Sequence, residues 1–347
     1  MRSNSTFRPA RLVGAFLVLG LVAVLAGCGD DDTDGPGGGP LPPVGPGDGG
    51  PADGSLAHIG SDRFDDDTRA FLDRRPDMSL VVAGAFFGRH KPCGCSAPQL
   101  GGMKRLGALM DRLEARSKGP VGALSLGWAM KASGEEQEEA KAGFLRAALQ
   151  GMGFSGLVLG DTDLQVPAVI QPYGGGGIEQ PVPPLNVILP ETSAAREVSP
   201  LLRAKVDDLD LRALTLVDPA EADELKALGY AIEVLDVTAP FAQLKPEPQA
   251  LWIVATRLTD RASFDALSAA VRRFGPAVIV DFGGAVGEST AGPVRIGPDM
   301  EPLIVAVGEK GKEVGVLDFE RDDEGMTLSF RALPLVPELE LDDSARA

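Results

Sequence analysis

The sequence predicts an α/β domain built from two packed mixed β-sheets flanked by helices. Two observations predict it. From Ser79 onward, apolar runs of strand length alternate with stretches whose apolar residues recur at helical spacing. Near the C-terminus the helices stop and three strand-like runs follow one another, which adds an antiparallel part to an alternating core.

Taken in order, Ser79–Ala83 (SLVVA) is a continuous apolar run, the mark of a buried strand. Met103–Arg116 places Leu106, Leu109, Met110 and Leu113 on one helical face. Val121–Leu126 is a second strand. Glu135–Met152 is a helix that opens on Glu135, Glu136, Glu138 and Glu139, where the helix dipole favours negative charge. Its apolar face carries Phe144, Leu145, Ala148 and Leu149. Gly156–Gly160 is a third strand, and the Gly/Pro-rich stretch 171–184 is a loop. Further strands are expected at 187–189, 211–217, 231–234, 250–255 and 277–281, with helices at 223–228 and 263–274. The closing strands are 302–307, 313–320 and 326–334.

The N-terminus has its own organisation. Arg2, Arg8 and Arg11 precede an apolar run from Leu12 to Ala26, the charged and apolar parts of a secretory signal. The run is shorter than the ~20 residues that a membrane span needs. It ends in Leu25-Ala26-Gly27-Cys28, which resembles the lipobox of bacterial lipoproteins. That resemblance implies a signal peptide over 1–27, lipid on Cys28, and a domain held outside the cytoplasm in the cell envelope. The membrane, through this anchor, is the one partner the sequence names. Residues 28–75 begin with a Gly-, Pro- and Asp-rich stretch that cannot bury enough apolar surface to fold, so they are expected to form a disordered tether. The domain is placed at 76–337 and an acidic tail at 338–347.

Composition excludes several classes. The formal charge is −17, and it becomes more negative once the arginines of the leader are removed. This excludes nucleic acid and electrostatic docking on anionic lipid. Three cysteines, two of them one residue apart, exclude a disulfide-stapled scaffold.

Three blocks carry a further resemblance: Lys91–Leu113 (KPCGCSAPQLGGMKRLGALMDRL), Leu149–Leu164 (LQGMGFSGLVLGDTDL) and Pro302–Gly325 (PLIVAVGEKGKEVGVLDFERDDEG). In order and spacing they resemble the N-terminal domain of the 5′-nucleotidases within the calcineurin-like metallophosphoesterases, in a divergent bacterial lipoprotein branch with a Pro-Cys-Gly-Cys motif. The resemblance implies an αββα sandwich. In active members it also implies two metal ions held by an Asp-x-His pair, a Gly-Asp, a Gly-Asn-His, a lone His and a Gly-His-x-His. Two such ions activate water and clamp phosphate oxygens. Here the matching positions read Ala83-Gly84-Ala85, Gly127-Trp128, Gly160-Asp161-Thr162-Asp163, Thr256-Arg257 and Phe282-Gly283-Gly284-Ala285. The chain's two histidines are His58 and His90. The resemblance therefore implies a domain used for binding or assembly, without catalytic residues. The alternative is a phosphoester hydrolase with a remodelled metal site.

His90, Cys93 and Cys95 form one local cluster. With Asp161 and Asp163 they could hold one Zn²⁺ or another transition-metal ion, since thiolate and imidazole suit such ions. A strained Cys93–Cys95 disulfide, or two free thiols shaping a loop, is the alternative. Asp161 and Asp163 stand where α/β folds place their sites, but carboxylates there also cap turns. Gly101-Gly102 is expected to make a tight turn before its helix, and the Gly174–Gly177 run lacks the Lys and context of a phosphate loop.

Overall fold

The computed structural model describes residues 63–89, 91–92, 99–130, 136–165, 181–189, 201–227 and 232–340. The leader, Cys28, most of the tether, His90, Cys93, Cys95 and the glycine run at 174–177 lie outside the described residues. Among the described residues no helix is long and apolar enough to cross a membrane.

In chain order the first half comprises α1 (Asp66–Asp73), β1 (Met78–Ala83), α2 (Met103–Arg116), β2 (Val121–Leu126), α3 (Glu136–Gly151), β3 (Gly156–Val158), β4 (Val187–Ile188), β5 (Leu202–Val206) and β6 (Leu209–Leu216). The second half comprises α4 (Ala222–Ala227), β7 (Glu233–Val234), β8 (Leu251–Thr256), α5 (Arg261–Arg272), β9 (Ala277–Asp281), β10 (Thr290–Ile296), β11 (Leu303–Ala306), β12 (Glu313–Asp322) and β13 (Gly325–Pro334).

Two mixed sheets result. The first has the order β10-β13-β12-β1-β2-β3 and the second β11-β9-β8-β6-β5; β4 and β7 form a small ribbon. Strands β1, β2 and β3 run parallel, as do β6, β8, β9 and β11, while β12, β13, β10 and β5 add antiparallel edges.

Strand periodicity sorts side chains into layers. On β1, Met78, Leu80 and Val82 point between the sheets, where they meet Leu211, Ile253, Val278 and Leu317. Val81 and Ala83 point the other way, onto Leu106, Leu109, Leu113, Leu145 and Leu149 of α2 and α3. On the far face of the second sheet Trp252, Val254 and Ile279 meet Phe264, Leu267 and Val271 of α5. The order is helices, sheet, sheet, helix, and the expected α/β class with two packed mixed sheets is what the chain adopts.

Helix ends follow local chemistry. Asp65 caps α1 by accepting from Thr68 N at 2.6 Å, and Asp260 caps α5 by accepting from Ser263 N at 2.8 Å. Helix α2 begins instead at Gly102, where φ is 102°. The preceding Gly101, φ 90°, passes so near Gly311 O that a Cβ there would lie 2.6 Å from it. The expected tight turn is present.

Two boundaries differ from expectation. Residues 64–73 are not tether: α1 forms there, and Phe64, Phe71 and Leu72 are buried in the core with α2. The abundance of charge in DDTRAFLD masks the apolar residues that share one face. The acidic tail begins later than 338, because Leu339 is buried and Glu338 accepts from Phe64 N at 2.9 Å. Glu340 pairs with Arg105 at 2.8 Å.

Candidate functional site

The parallel strands of both sheets deliver their carboxyl ends to one edge of the sandwich, the place where α/β sheets expose backbone and loops to a ligand. The loops there are unusual. Among the described residues five non-glycines have positive φ, and four of them, Ala85, Phe87, Trp128 and Lys310, lie here with φ of 50°, 49°, 51° and 63°. Such conformations strain a residue with a Cβ and persist only where the surroundings impose them. The imposition is visible: Ala85 N donates to Gly127 O at 3.0 Å, Phe87 N to Trp128 O at 3.0 Å, and Gly311 N to Ala85 O at 3.2 Å.

Aromatic side chains fill the edge. Phe86, Trp128 and Phe282 are fully buried, and the Trp128 and Phe282 rings lie 6.0 Å apart. Two glycines make room for them. A Cβ on Gly84 would come 2.8 Å from the Phe282 ring, and one on Gly160 would come 2.8 Å from the Trp128 indole.

The polar groups form two sets. Asp163 is fully shielded and bound to backbone on both oxygens: Oδ1 accepts from Met130 N and Oδ2 from Gly160 N, each at 2.8 Å. Burial pushes its carboxyl up to about 7, against these hydrogen bonds, which pull it down. Its role is the capping one, stitching the loop after β2 to the loop after β3. Asp161, also buried, accepts from the Trp128 indole N–H.

The second set centres on Arg257, just after β8. Its Nη2 lies 2.9 Å from Glu309 Oε1 and its Nη1 lies 3.8 Å from Glu221 Oε1. Its guanidinium carbon sits 5.1 Å from the centre of the Phe87 ring and 6.0 Å from that of Trp128. Burial, then the negative charge of Asp161, raise Glu221 to about 8, so this carboxyl is mostly protonated at neutral pH. Nearby, Asp281 at the end of β9 accepts from Gly283 N at 2.7 Å and Val286 N at 2.9 Å, and burial raises it to about 6.

The sequence nominated Asp161 and Asp163, and the structure brings them together at the expected strand end. It also brings there Arg257, Glu221 and Glu309, which the sequence did not single out as a group. His90, Cys93 and Cys95 lie outside the described residues. Among the described residues no three His, Cys, Asp or Glu side chains are placed to hold a metal ion. The donor set at the strand ends does not fit a metal pair: an alanine, an indole and a guanidinium stand at three of the implied ligand positions, and a guanidinium repels a cation.

No protein-family model and no curated relative matches the sequence. Solved structures do match the fold. A 5′-nucleotidase precursor from Thermus thermophilus superposes with a TM-score of 0.53 at 20% identity, covering 76% of this chain and 55% of that one. A putative 5′-nucleotidase from Staphylococcus aureus, solved with alpha-ketoglutarate, gives 0.54 at 12% identity over 75% and 54%. The sulfate thiohydrolase SoxB of Thermus thermophilus gives 0.53 at 15% identity over 76% and 58%. The chain thus spans little more than half the length of these structures. Its architecture is the 5′-nucleotidase or metallophosphoesterase-like fold.

Proposed function

We propose that this chain is a lipid-anchored protein of the bacterial cell envelope whose nucleotidase-like domain serves binding or assembly and does not hydrolyse phosphoesters through a metal pair. One observation carries the non-hydrolytic part: the Arg257 guanidinium, lying over Trp128 and held by Glu309, occupies the strand-end edge where the resemblance would put cation ligands. The protein has supplied its own cation there. The anchor rests on the sequence alone, on the arginines, the apolar run and the Leu25–Cys28 box.

A second reading is a metal-dependent phosphoester hydrolase with a remodelled site. Two things favour it: solved structures sharing the fold are named as hydrolytic enzymes, and strained loops persist at this edge. One experiment separates the two. The purified protein is supplied with Mn²⁺, Zn²⁺ or Co²⁺ in turn and assayed on nucleotides and an aryl phosphate. No turnover above the metal-only rate is expected. Turnover that follows the metal and disappears in Asp161→Ala would establish the hydrolase. For the anchor, Cys28→Ser is expected to move the protein from the membrane fraction to the soluble one.

A further inference from the structure

Arg257 touches more of the strand-end edge than any purely local ion pair would. Phe87 follows β1, Trp128 follows β2, Glu221 follows β6 and Glu309 follows β11. One guanidinium therefore contacts loops from both sheets. We propose that Arg257 is a bolt: it holds the strand-end loops of the two sheets closed over the edge, and its withdrawal opens a path to the buried Trp128–Asp161 pair. The inference builds on the non-hydrolytic reading but is tested apart from it.

Three observations make the bolt movable, unlike an ordinary core contact. The Arg257 and Glu221 side chains each keep 23% of their surface exposed and Glu309 keeps 36%, so the arrangement reaches solvent. Arg257 Nε is buried without a hydrogen-bond partner among the described residues, so closure leaves a donor unsatisfied. The backbone on either side is strained at Phe87, Trp128 and Lys310, conformations that persist only because their surroundings hold them. Closure is thus balanced by costs within the same few residues, which is how a segment of low local stability is made. Beneath the bolt, Trp128 is fully buried.

The chain has two tryptophans, Trp128 and Trp252. In a Trp252→Phe background the full-length protein reports on Trp128 alone, and acrylamide quenching measures its accessibility. Arg257→Ala is expected to raise the quenching constant about threefold or more by favouring the open loops. Glu309→Gln and Arg257→Lys should fall between it and the parent, with the far-ultraviolet circular dichroism unchanged. Quenching in Arg257→Ala equal to the parent overturns the proposal. Should Arg257→Ala lose its dichroism, the two milder variants decide: raised quenching in both supports the bolt, and parental quenching in either overturns it. Phosphoesterase turnover by the wild type would sink the non-hydrolytic reading while leaving this contrast standing.

Discussion

Arg116 on α2 reaches Asp318 on β12 with Nη2 and Oδ1 2.7 Å apart, and both side chains are almost wholly shielded from water. Ser79 on β1 donates to the same oxygen at 2.7 Å, and Arg116 Nη1 donates to Phe71 O at 3.0 Å. One ion pair thus pins α2 to the middle of the first sheet and to the end of α1. Removing either partner leaves a buried charge. Asp318→Ala is expected to cost about 3–5 kcal/mol in urea unfolding, whereas replacing both by apolar residues of similar volume should cost far less. Equal losses from the single and the double replacement would contradict this account.

Two glycines set how closely the sheets approach, and their neighbours differ. A Cβ on Gly122 would lie 2.4 Å from Val206 Cγ2, and one on Gly156 would lie 2.3 Å from Leu202 Cδ2. Val206 is stiff at χ1 and buried, whereas Leu202 is partly exposed and can swing aside. Gly122→Ala is expected to destabilise by about 1–3 kcal/mol through overpacking. Gly156→Ala should cost less than about 1 kcal/mol. Denaturation midpoints, read with an unchanged slope, rank the two; the reverse order would refute the argument.

Asp281 makes stability depend on pH. Its carboxyl rises from 3.8 to about 6 on folding because burial outweighs the loop amides that hold its charged form. The folded chain binds this proton more tightly than the unfolded chain. The contribution is therefore full below about 4 and is lost as pH rises through about 6, on the order of 2–3 kcal/mol in all. In Asp281→Asn that part of the slope is expected to vanish, so the wild-type-minus-variant difference in stability falls as pH rises from about 4 to about 6. A flat difference would show that the group titrates alike in both states.

The last described turn belongs to the fold. A chain stopped at Pro337 loses the buried Leu339 side chain, the Glu338 cap on Phe64 N and the Glu340 pair with Arg105. Burying a leucine alone is worth about 1.5–3 kcal/mol, so truncation is expected to lower stability by about 2–4 kcal/mol. An unchanged thermal midpoint would assign the segment to the tail after all.

Much of this architecture was legible in the sequence because burial on both faces leaves continuous apolar runs. SLVVA and AVIVD read directly as β1 and β9, and α2 showed its face through Leu106, Leu109 and Leu113. What escaped was half-exposed. Strand β5 alternates Arg203 and Lys205 with apolar residues, and β10 is an edge strand containing Gly292-Pro293, which reads as a turn. At the candidate site, Asp161 and Asp163 were visible because they end a buried strand. Glu221 and Glu309 carried no signal. They lie 36 residues before and 52 residues after Arg257 in the chain, and only the packing of two sheets brings them to it.

The pairing of β1 with β12 has a consequence for time. Met78 lies opposite Phe319, and Val82 opposite Gly315, so the strand at the centre of the first sheet gains its second neighbour only from the far end of the chain. Closing so long a loop is slow. An emerging chain must wait, incomplete, until its final strands are released.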